Sequence, residues 1–428
     1  MMKKQGTSFG YYPPSEQRLS AFDPLALPEH FLPYGQGRSY GDVCLNSSGV
    51  LVENESLDHF LAFDADQGVV TCQPGVTLQT LLRFCLPRGW FLPVTPGTQY
   101  VSVGGAIAND VHGKNHEQAG SFGHYVLAFT LLRSNGEYIH CSESENTDFF
   151  HATIGGLGLT GMIVSAQLKL KKVVSNQMDV TLTPYQHLDD FFTLNKQAQD
   201  QDEYRVAWLD CTAKGDNLGR GHLIYGRHSS KPNGCEFIKP KPYQLPLTPP
   251  ISLINNLSVK AFNLLYYHKQ GKVKKHFAQG YGAFFYPLDG IRHWNRLYGK
   301  KGFFQHQSVV PLKDANVVIA ELLKTIAKSG SGSFLVVLKM MGAQVNQGLI
   351  SFPMQGVTLA MDFPMSKSNM RLMKILEAIV TEASGKLYPA KDALMSPAHF
   401  QQAYPQFVKL ESLRDPSISS DFWKRVTV

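Results

Sequence analysis

Three glycine-dense loops constrain this chain more than any other feature: Gly35–Asp42 (GQGRSYGD), Pro96–His112 (PGTQYVSVGGAIANDVH) and Gly155–Gly161 (GGLGLTG). Glycine serves tight turns, and it also lets main-chain N–H groups approach a ligand phosphate where a Cβ would block the way. A turn is explanation enough for any one of these loops. Three within one region point instead to a shared anion site. A Rossmann cradle needs GxGxxG between a strand and a helix. GQGRSYG lacks the third glycine position and IGGLGLTG leads into a strand, so that architecture is disfavoured. Several loops gripping one pyrophosphate fit the spacing better.

The segments between the loops read as ordinary elements. Gly68–Pro74 (GVVTCQP) has strand character, and Leu78–Leu86 repeats apolar residues at helical spacing behind a Thr77 N-cap. Val126–Leu132 (VLAFTLL) is β-rich, and RSNGEYIHC reads as a hairpin with Asn135-Gly136 at its turn. Met162–Leu170 is a further strand, and residues 1–30 read as an extended lead-in. From about residue 176 to about 384 glycine thins out and long strands alternate with helices. Inside that stretch 239–276 stands apart: a Pro-rich basic entry (KPKPYQLPLTPP), an amphipathic to apolar run (ISLINNLSVKAFNLLYYHK) and a basic close (KVKKH).

At 428 residues the chain is long for one core and suits two subdomains. Its 43% hydrophobic and 18% charged content is that of a folded protein, and a net charge of +7 is too modest to name a partner. Cys44, Cys72, Cys85, Cys141, Cys211 and Cys235 form no CxxC pair and no zinc-like cluster with histidine. They read as reduced thiols of a cytoplasmic protein, and no metal site is expected. Gly6–Gln17 is unlike a signal peptide, and no run approaches the ~20 apolar residues of a spanning helix.

Taken in order, GQGRSYGD, TPGTQYVSVGGAIANDVHGKNHEQAGSFG, FYPLDGIRHWNRLYGKKGFFQHQSVVP, MDFP and KLYPAKDA resemble the FAD-binding oxidoreductases of the vanillyl-alcohol oxidase superfamily. Within it the likeness points to the decaprenylphosphoryl-β-D-ribose 2′-oxidase family, the FAD-dependent half of a sugar 2′-epimerase. The matches run from about residue 33 to about 415, and GGAIANDVHGKNHEQAGSFG is the most specific. The resemblance implies an α+β fold. A two-subdomain PCMH-type FAD-binding domain would span residues 1–175, completed by 385–428. An α+β substrate domain with an antiparallel sheet would span 176–384, with 239–276 as a membrane-facing insertion.

Carried over residue by residue, the family pattern assigns FAD contacts to Gly37, Arg38, Ser39, Tyr40, Gly41 and Asp42 in the first loop. It assigns others to Gly97, Ser102, Val103, Gly104, Gly105, Asn109 and His112, and later ones to Ile163 and Tyr388. Ser102 would donate to a phosphate, and Gly104-Gly105 would allow close backbone approach. Asp110 sits awkwardly beside a phosphate and should point away or pair with a base. Related alditol and aldonolactone oxidases often carry GxGHS, whose histidine links covalently to the flavin. Arg38 takes that slot here, so noncovalent FAD is expected.

The same pattern implies Lys391 as the active-site lysine, a positive charge for the reduced flavin. Tyr40, His112, Lys114, Lys339, Gln305 and Gln307 match other pocket positions, and Trp208 an aromatic wall. Hydride removal from a carbinol also needs an acceptor for the hydroxyl proton. A lysine depressed by burial, a neutral His112 and an ionised Tyr40 all suit that role, and the sequence does not choose. The apolar neighbours of Lys339 favour a buried lysine. Asp362 in MDFP reads as an ordinary strand-end acid. Family members related to the mycobacterial enzyme carry a cysteine two residues before it; Ala360 stands here.

The implied substrate is a lipid-linked sugar, oxidised at the 2′-hydroxyl of a polyprenyl-phospho-ribose. The implied partner is a separate NAD(P)H-dependent short-chain reductase. Apolar Ile251, Leu253, Ile254, Leu257, Phe262, Leu264 and Leu265 lie beside Lys260, Lys269, Lys272, Lys274 and Lys275, a pattern that suits an anionic lipid surface. Peripheral contact with the inner face of the cell membrane is therefore expected, and nucleic acid is not an expected partner. The alternative is a soluble FAD oxidase or dehydrogenase of a free polyol or aldonolactone. A flavin-binding protein without catalysis is disfavoured by Lys391 and the Gln305/Gln307 pair.

Overall fold

The computed structural model describes residues 6–11, 17–198, 202–271 and 273–427; Lys272 and parts of the N-terminal lead-in lie outside them. The lead-in is more than extended. Arg18–Ala21 pairs in parallel with Val50–Glu53, which pairs on its other edge with Phe31–Tyr34. Phe31, Leu51 and Val52 are fully buried, so the first glycine loop departs from a strand anchored in the core.

A second sheet is antiparallel, in the order Phe60–Asp64, Val69–Cys72, Met162–Lys169, Val126–Leu132, Tyr138–Ser142. The helix Leu78–Cys85 turns Leu78, Leu81, Leu82 and Cys85 into the same core as this sheet, the i, i+3, i+4, i+7 spacing of one face. Thr77 Oγ1 accepts the Thr80 N–H at 3.1 Å, a cap that contributes roughly 1 kcal/mol. The hairpin turn differs in kind from an Asn-Gly pair. Arg133 and Glu137 are bonded, and within the remaining three-residue loop only Gly136 has positive φ, +83°. That is the three-residue class with a left-handed glycine, not the two-residue type I′ turn.

The third sheet has eight antiparallel strands: Lys275–Gly280, Gln177–Tyr185, Gly221–His228, Tyr204–Leu209, Val336–Met341, Gly356–Pro364, Phe303–Pro311 and Lys386–Leu387. Side chains alternate across it. Ala207, Leu338, Leu359, Met361, Phe363 and Phe304 pack under the helices Ala315–Ser329 and Lys367–Glu382, whose Leu322, Leu323, Ile326, Leu372 and Leu376 complete that core. The alternate residues Trp208, Lys339, Ala360, Gln305 and Gln307 face the other way, into a cavity. Register fixes their lateral order: Gln307 lies opposite Ala360, Gln305 opposite Asp362, and Lys339 opposite Thr358. The pairing of Lys386–Leu387 with Ser308 and Val309 delivers Lys391 as an extension of the same sheet.

In the 239–276 segment, Asn256–Gln270 is a helix capped by Asn255, whose side chain accepts the N–H groups of Leu257 and Ser258. One narrow face holds it down. Val259 and Asn263 are buried, and Asn263 donates to Asp210 Oδ1 at 3.1 Å and to the Ser333 carbonyl at 3.3 Å. Leu257, Leu264 and Leu265 on the same helix are exposed. Among the described residues no helix is long and apolar enough to cross a membrane.

Candidate active site

The first and second glycine loops, the end of the third and the inner face of the eight-stranded sheet line a cavity of about 660 Å³, within the ordinary range for a small-molecule or cofactor site. Gly35 to Tyr40 and Ala390-Lys391 bound it along one side, and Thr95 to Lys114 along another. Hydrogen bonding separates loops that can hold an anion from those that cannot. In the first loop the N–H groups of Gln36, Gly37, Arg38 and Ser39 have no partner among the described residues, while Tyr40 N–H is tied to the Ala390 carbonyl at 3.0 Å. Gly37 has φ +58°, and a Cβ there would collide with the Tyr34 hydroxyl at 2.2 Å. This is the free nest of amides that a diphosphate needs.

The second loop is different. Val103–Ala108 is a short helix with Ser102 as its N-cap, Oγ accepting from Gly105 N–H at 3.3 Å. Val103 N–H donates to the Val76 carbonyl at 2.8 Å and Gly104 N–H to the Pro74 carbonyl at 2.9 Å, so neither amide is free. Ser102, Gly104 and Gly105 line the cavity, as do Gly97, Asn109 and His112. In the third loop, Gly155 and Leu157 N–H groups donate to the Ile107 and Ala108 carbonyls at 2.9 and 2.8 Å. The start of that loop closes the C-terminal end of the 103–108 helix, while Gly158, Gly161 and Ile163 reach the cavity wall.

Three positions expected to touch FAD stand behind the wall. Val103 is core, with no exposed surface. Gly41 packs on the tail, where a Cβ would lie 1.7 Å from the Asp392 carbonyl oxygen. Asp42 is buried and receives the Arg425 guanidinium fork at 2.8 and 2.8 Å; the same arginine reaches Asp392 at 2.9 Å. Asp110 is outside the cavity lining, and the base that bears on it is His124, linked to it through the Ser121 hydroxyl. Its carboxylate accepts Gly123 N–H at 2.8 Å and the hydroxyls of Ser121 and Ser351 at 2.9 and 2.6 Å.

The cavity's fit to FAD rests on its own features. The free amides of 36–39 suit a pyrophosphate. Cβ atoms on Gly97 and Gly158 would meet no protein atom within 4 Å, as expected where ligand and not protein fills the space. The buried acceptor Oδ1 of Asn109, on the cavity wall, has no partner among the described residues. Arg38 sits between the Phe9 and Tyr100 rings, 5.4 Å from each, its Nε buried and unpartnered among the described residues.

The reactive side chains gather at one end. Lys339 is buried, its Nζ 2.6 Å from His112 Nδ1 and bonded to the Gly113 carbonyl. Gln307 Nε2 lies 3.0 Å from His112 Nε2. Burial, with Lys114 as a second cause, pushes Lys339 down to about 7. Burial and then Lys339 hold His112 well below its ordinary value. Lys114 is lowered to about 8 by burial; it donates to the Phe284 carbonyl and lies 4.6 Å from that ring's centre. Lys391 Nζ is 3.7 Å above the Tyr40 ring. Burial, then Asp362, raises the Tyr40 phenol well above its usual range, so an ionised Tyr40 does not serve as base near neutral pH. Trp208 closes the far wall, its Nε1 donating to the Phe334 carbonyl at 3.0 Å. Tyr388 donates to the Asn109 carbonyl at 2.9 Å and stacks on Phe352 at 4.6 Å.

The sequence does not single out the other wall residues individually, although Pro287–Trp294 lies within the FYPLDGIRHW motif. Pro287–Trp294 forms part of the rim, with Asp289 Oδ2 accepting Gln99 N–H at 2.9 Å. Tyr266 reaches the cavity from the 256–270 helix and meets Trp208 edge-on at 4.6 Å.

Amide nest, glycine-lined cavity and recessed lysines together define a flavin-dependent oxidoreductase site, and residues 23–142 match the FAD binding domain family. Over 407 residues the chain is 33% identical to decaprenylphosphoryl-beta-D-ribose oxidase of Mycolicibacterium smegmatis, covering 92% of this chain and 88% of that protein. It is 31% identical over 372 residues to an uncharacterized protein of Streptomyces coelicolor, covering 82% of this chain and 100% of the relative. L-gulonolactone oxidase of Bos taurus is 26% identical over 198 residues, 46% of this chain and 43% of that one. The chain belongs to the decaprenylphosphoryl-β-D-ribose oxidase family, FAD-dependent oxidoreductases that act on a CH–OH group.

Proposed function

We propose that this enzyme oxidises the 2′-hydroxyl of a polyprenyl-phospho-ribose to the 2′-ketone, as the oxidase half of an epimerisation. Bound FAD supplies the acceptor for the carbinol hydride. The chain's own residues deal with the proton. Neutral His112 has one N–H, which admits two arrangements. With Lys339 as an ammonium, Nδ1 accepts from it and Nε2–H faces the Gln307 carbonyl oxygen. With Lys339 as a free amine, Nδ1–H donates to Lys339 and the Gln307 amide N–H faces Nε2. Near pH 7 both forms of Lys339 are populated, so the free-amine form can be converted into the ammonium form: His112 Nε2 takes the hydroxyl proton, Nδ1 passes its own proton to the Lys339 amine, and Gln307 turns its carbonyl oxygen toward the new Nε2–H. Lys391 supplies the fixed positive charge at the other side of the pocket.

One observation carries the lipid-linked part of this reading. The 256–270 helix contributes Tyr266 to the cavity while presenting exposed Leu257, Leu264 and Leu265 and exposed Lys260 and Lys269 to solvent. Cavity and apolar, lysine-flanked surface thus share one helix, an arrangement suited to a sugar held inside and a lipid outside. On this reading the protein is a peripheral protein at the cytoplasmic face of a membrane. A separate NAD(P)H-dependent short-chain reductase returns the ketone as the epimeric alcohol. The small Ala360 on the cavity wall favours a second reading, a soluble oxidase of a free polyol or aldonolactone.

Anaerobic mixing with a panel of lipid-linked and free sugars separates the two. Bleaching of the flavin by polyprenyl-phospho-ribose and not by ribose, polyols or aldonolactones supports the first. Equal or faster bleaching by a free polyol overturns it.

A further inference from the structure

Lys386–Leu387 is the last strand of the eight-stranded sheet, so among the described residues no strand lies beyond Leu387. On its inner side it pairs with Ser308 and Val309, and the next amide, Tyr388 N–H, donates to the Gln307 carbonyl at 2.9 Å. Buried main-chain groups at such an edge need partners from outside the sheet. Two side chains supply them, one from the helix Pro397–Ala403 and one from its C-cap. His399 Nε2 accepts Leu387 N–H at 3.2 Å, and the Tyr404 hydroxyl donates to the Leu387 carbonyl at 2.6 Å. Both side chains are buried. Leu387 N–H can only donate, so Nε2 is the bare nitrogen of a neutral ring and the ring proton is on Nδ1. Nδ1–H donates to Thr381 Oγ1 at 2.6 Å, and the Thr381 hydroxyl donates in turn to the Glu377 carbonyl at 2.8 Å. Two neighbours therefore fix the tautomer. Burial lowers His399 to about 4, which keeps the ring neutral near neutral pH.

Leu387 is the residue from which the cavity turn departs. Tyr388 follows it, its hydroxyl donating to the Asn109 carbonyl at 2.9 Å and its ring stacking on Phe352. The Ala390 carbonyl accepts Tyr40 N–H at 3.0 Å, and Lys391 sets its Nζ 3.7 Å above the Tyr40 ring. The far end of the turn is held separately, by Arg425 on Asp392 at 2.9 Å. We propose that His399 and Tyr404 are positioning residues for the flavin site: by gripping the N–H and the carbonyl of Leu387 they fix the near end of the turn that carries Tyr388 and Lys391 into the cavity. Tyr388 and Lys391 line that cavity, whereas His399 and Tyr404 stand outside its lining and act only through the main chain. The inference rests on the proposed oxidation for its purpose, since that gives Lys391 its role, but not for its test.

The test is competitive acetylation of FAD-loaded protein with acetic anhydride, without substrate, at about pH 8. Labelling of Lys391 and of Lys339, which sits on a different strand, is followed by peptide mass spectrometry. In His399→Leu the loss of one hydrogen bond should let the turn open locally and raise Lys391 labelling about fivefold, with Lys339 and flavin content unmoved. Tyr404→Phe deletes only the hydroxyl and should act in the same direction. His399→Gln offers Leu387 N–H an acceptor again and should bring Lys391 most of the way back to wild type, which a mere packing role would not do. Unchanged Lys391 in both His399→Leu and Tyr404→Phe overturns the proposal. A rise shared equally by Lys339 overturns it, and so does His399→Gln labelling as fast as His399→Leu. Should His399→Leu not fold, Tyr404→Phe decides alone: wild-type labelling of Lys391 there overturns the proposal. Failure of the substrate assignment leaves this readout untouched.

Discussion

Replacing Lys339 by methionine tests the proton-handling half of the reaction. Methionine keeps the side chain's length and apolar stem and removes the amine, so the strand and its buried surroundings should persist. Two bonds disappear, one to His112 Nδ1 at 2.6 Å and one to the Gly113 carbonyl. A positioned general base is worth about 10²–10⁴ in rate, or about 3–5 kcal/mol of barrier. The structure also predicts the pH behaviour. Lys339 is lowered to about 7, so flavin reduction by a saturating alcohol substrate should rise through about pH 7 in wild type as the amine loses its proton. In Lys339→Met that limb should vanish. His112 should move up once the neighbouring cation is gone, yet burial, the larger cause, keeps it below its ordinary value. Anaerobic stopped-flow bleaching of the flavin from about pH 5.5 to 9 reads both effects, with flavin content and circular dichroism as controls. A variant that reduces FAD within about threefold of wild type, with its limb still near pH 7, would remove Lys339 from the role.

Arg425→Met strands Asp42 and Asp392, both buried, and should cost about 3–5 kcal/mol in urea unfolding. Burial already raises Asp42, and losing the guanidinium raises it further. The folded variant then binds more protons than the unfolded chain above the ordinary carboxylate range, so its stability should fall as pH rises and its deficit should be smaller at about pH 5 than at about pH 8. Precipitation with acid should leave all flavin in the supernatant, because Arg38 offers no nucleophile for a flavin link; yellow precipitated protein would contradict this. Changing Leu257, Leu264 and Leu265 together to glutamate should lower co-sedimentation with phosphatidylglycerol vesicles at least about tenfold while leaving flavin content unchanged, since each exposed leucine is worth up to about 2 kcal/mol when buried. Equal sedimentation would end the idea of a lipid-facing helix.

Much of the local structure was legible in the sequence. The Thr77 cap, the 78–85 helix and the 126–132 strand each carry a periodic pattern and a boundary residue, and neither depends on distant parts of the chain. The buried setting of Lys339 was legible from its apolar neighbours for the same reason. What escaped was set by tertiary docking. Val103, Gly104 and Gly155 read as free amides until the turn at Pro74–Val76 and the end of the 103–108 helix are placed against them. Asp42 follows a glycine loop and looks like a ligand contact; the arginine that claims it is in another helix. Asp289 and Tyr266 belong to segments the sequence does single out, the FYPLDGIRHW motif and the 239–276 stretch, but only the folded chain shows that these two side chains border the cavity. Asp362 reads as an ordinary strand-end acid, yet it is fully buried, with Gln305 as its cross-strand partner.

The Arg425 clamp also has a consequence for when the site comes into being. Asp42 and its arginine are 383 residues apart, and the strand feeding the first glycine loop bridges Phe31 to Ile418. A chain emerging from the ribosome makes the amide nest early and the guanidinium that braces it very late. Closure of so distant a contact is slow and entropically costly. Until residues 421–427 have docked, the aspartate that follows the nest lacks its counter-charge, so firm capture of the cofactor should await the docking of that helix.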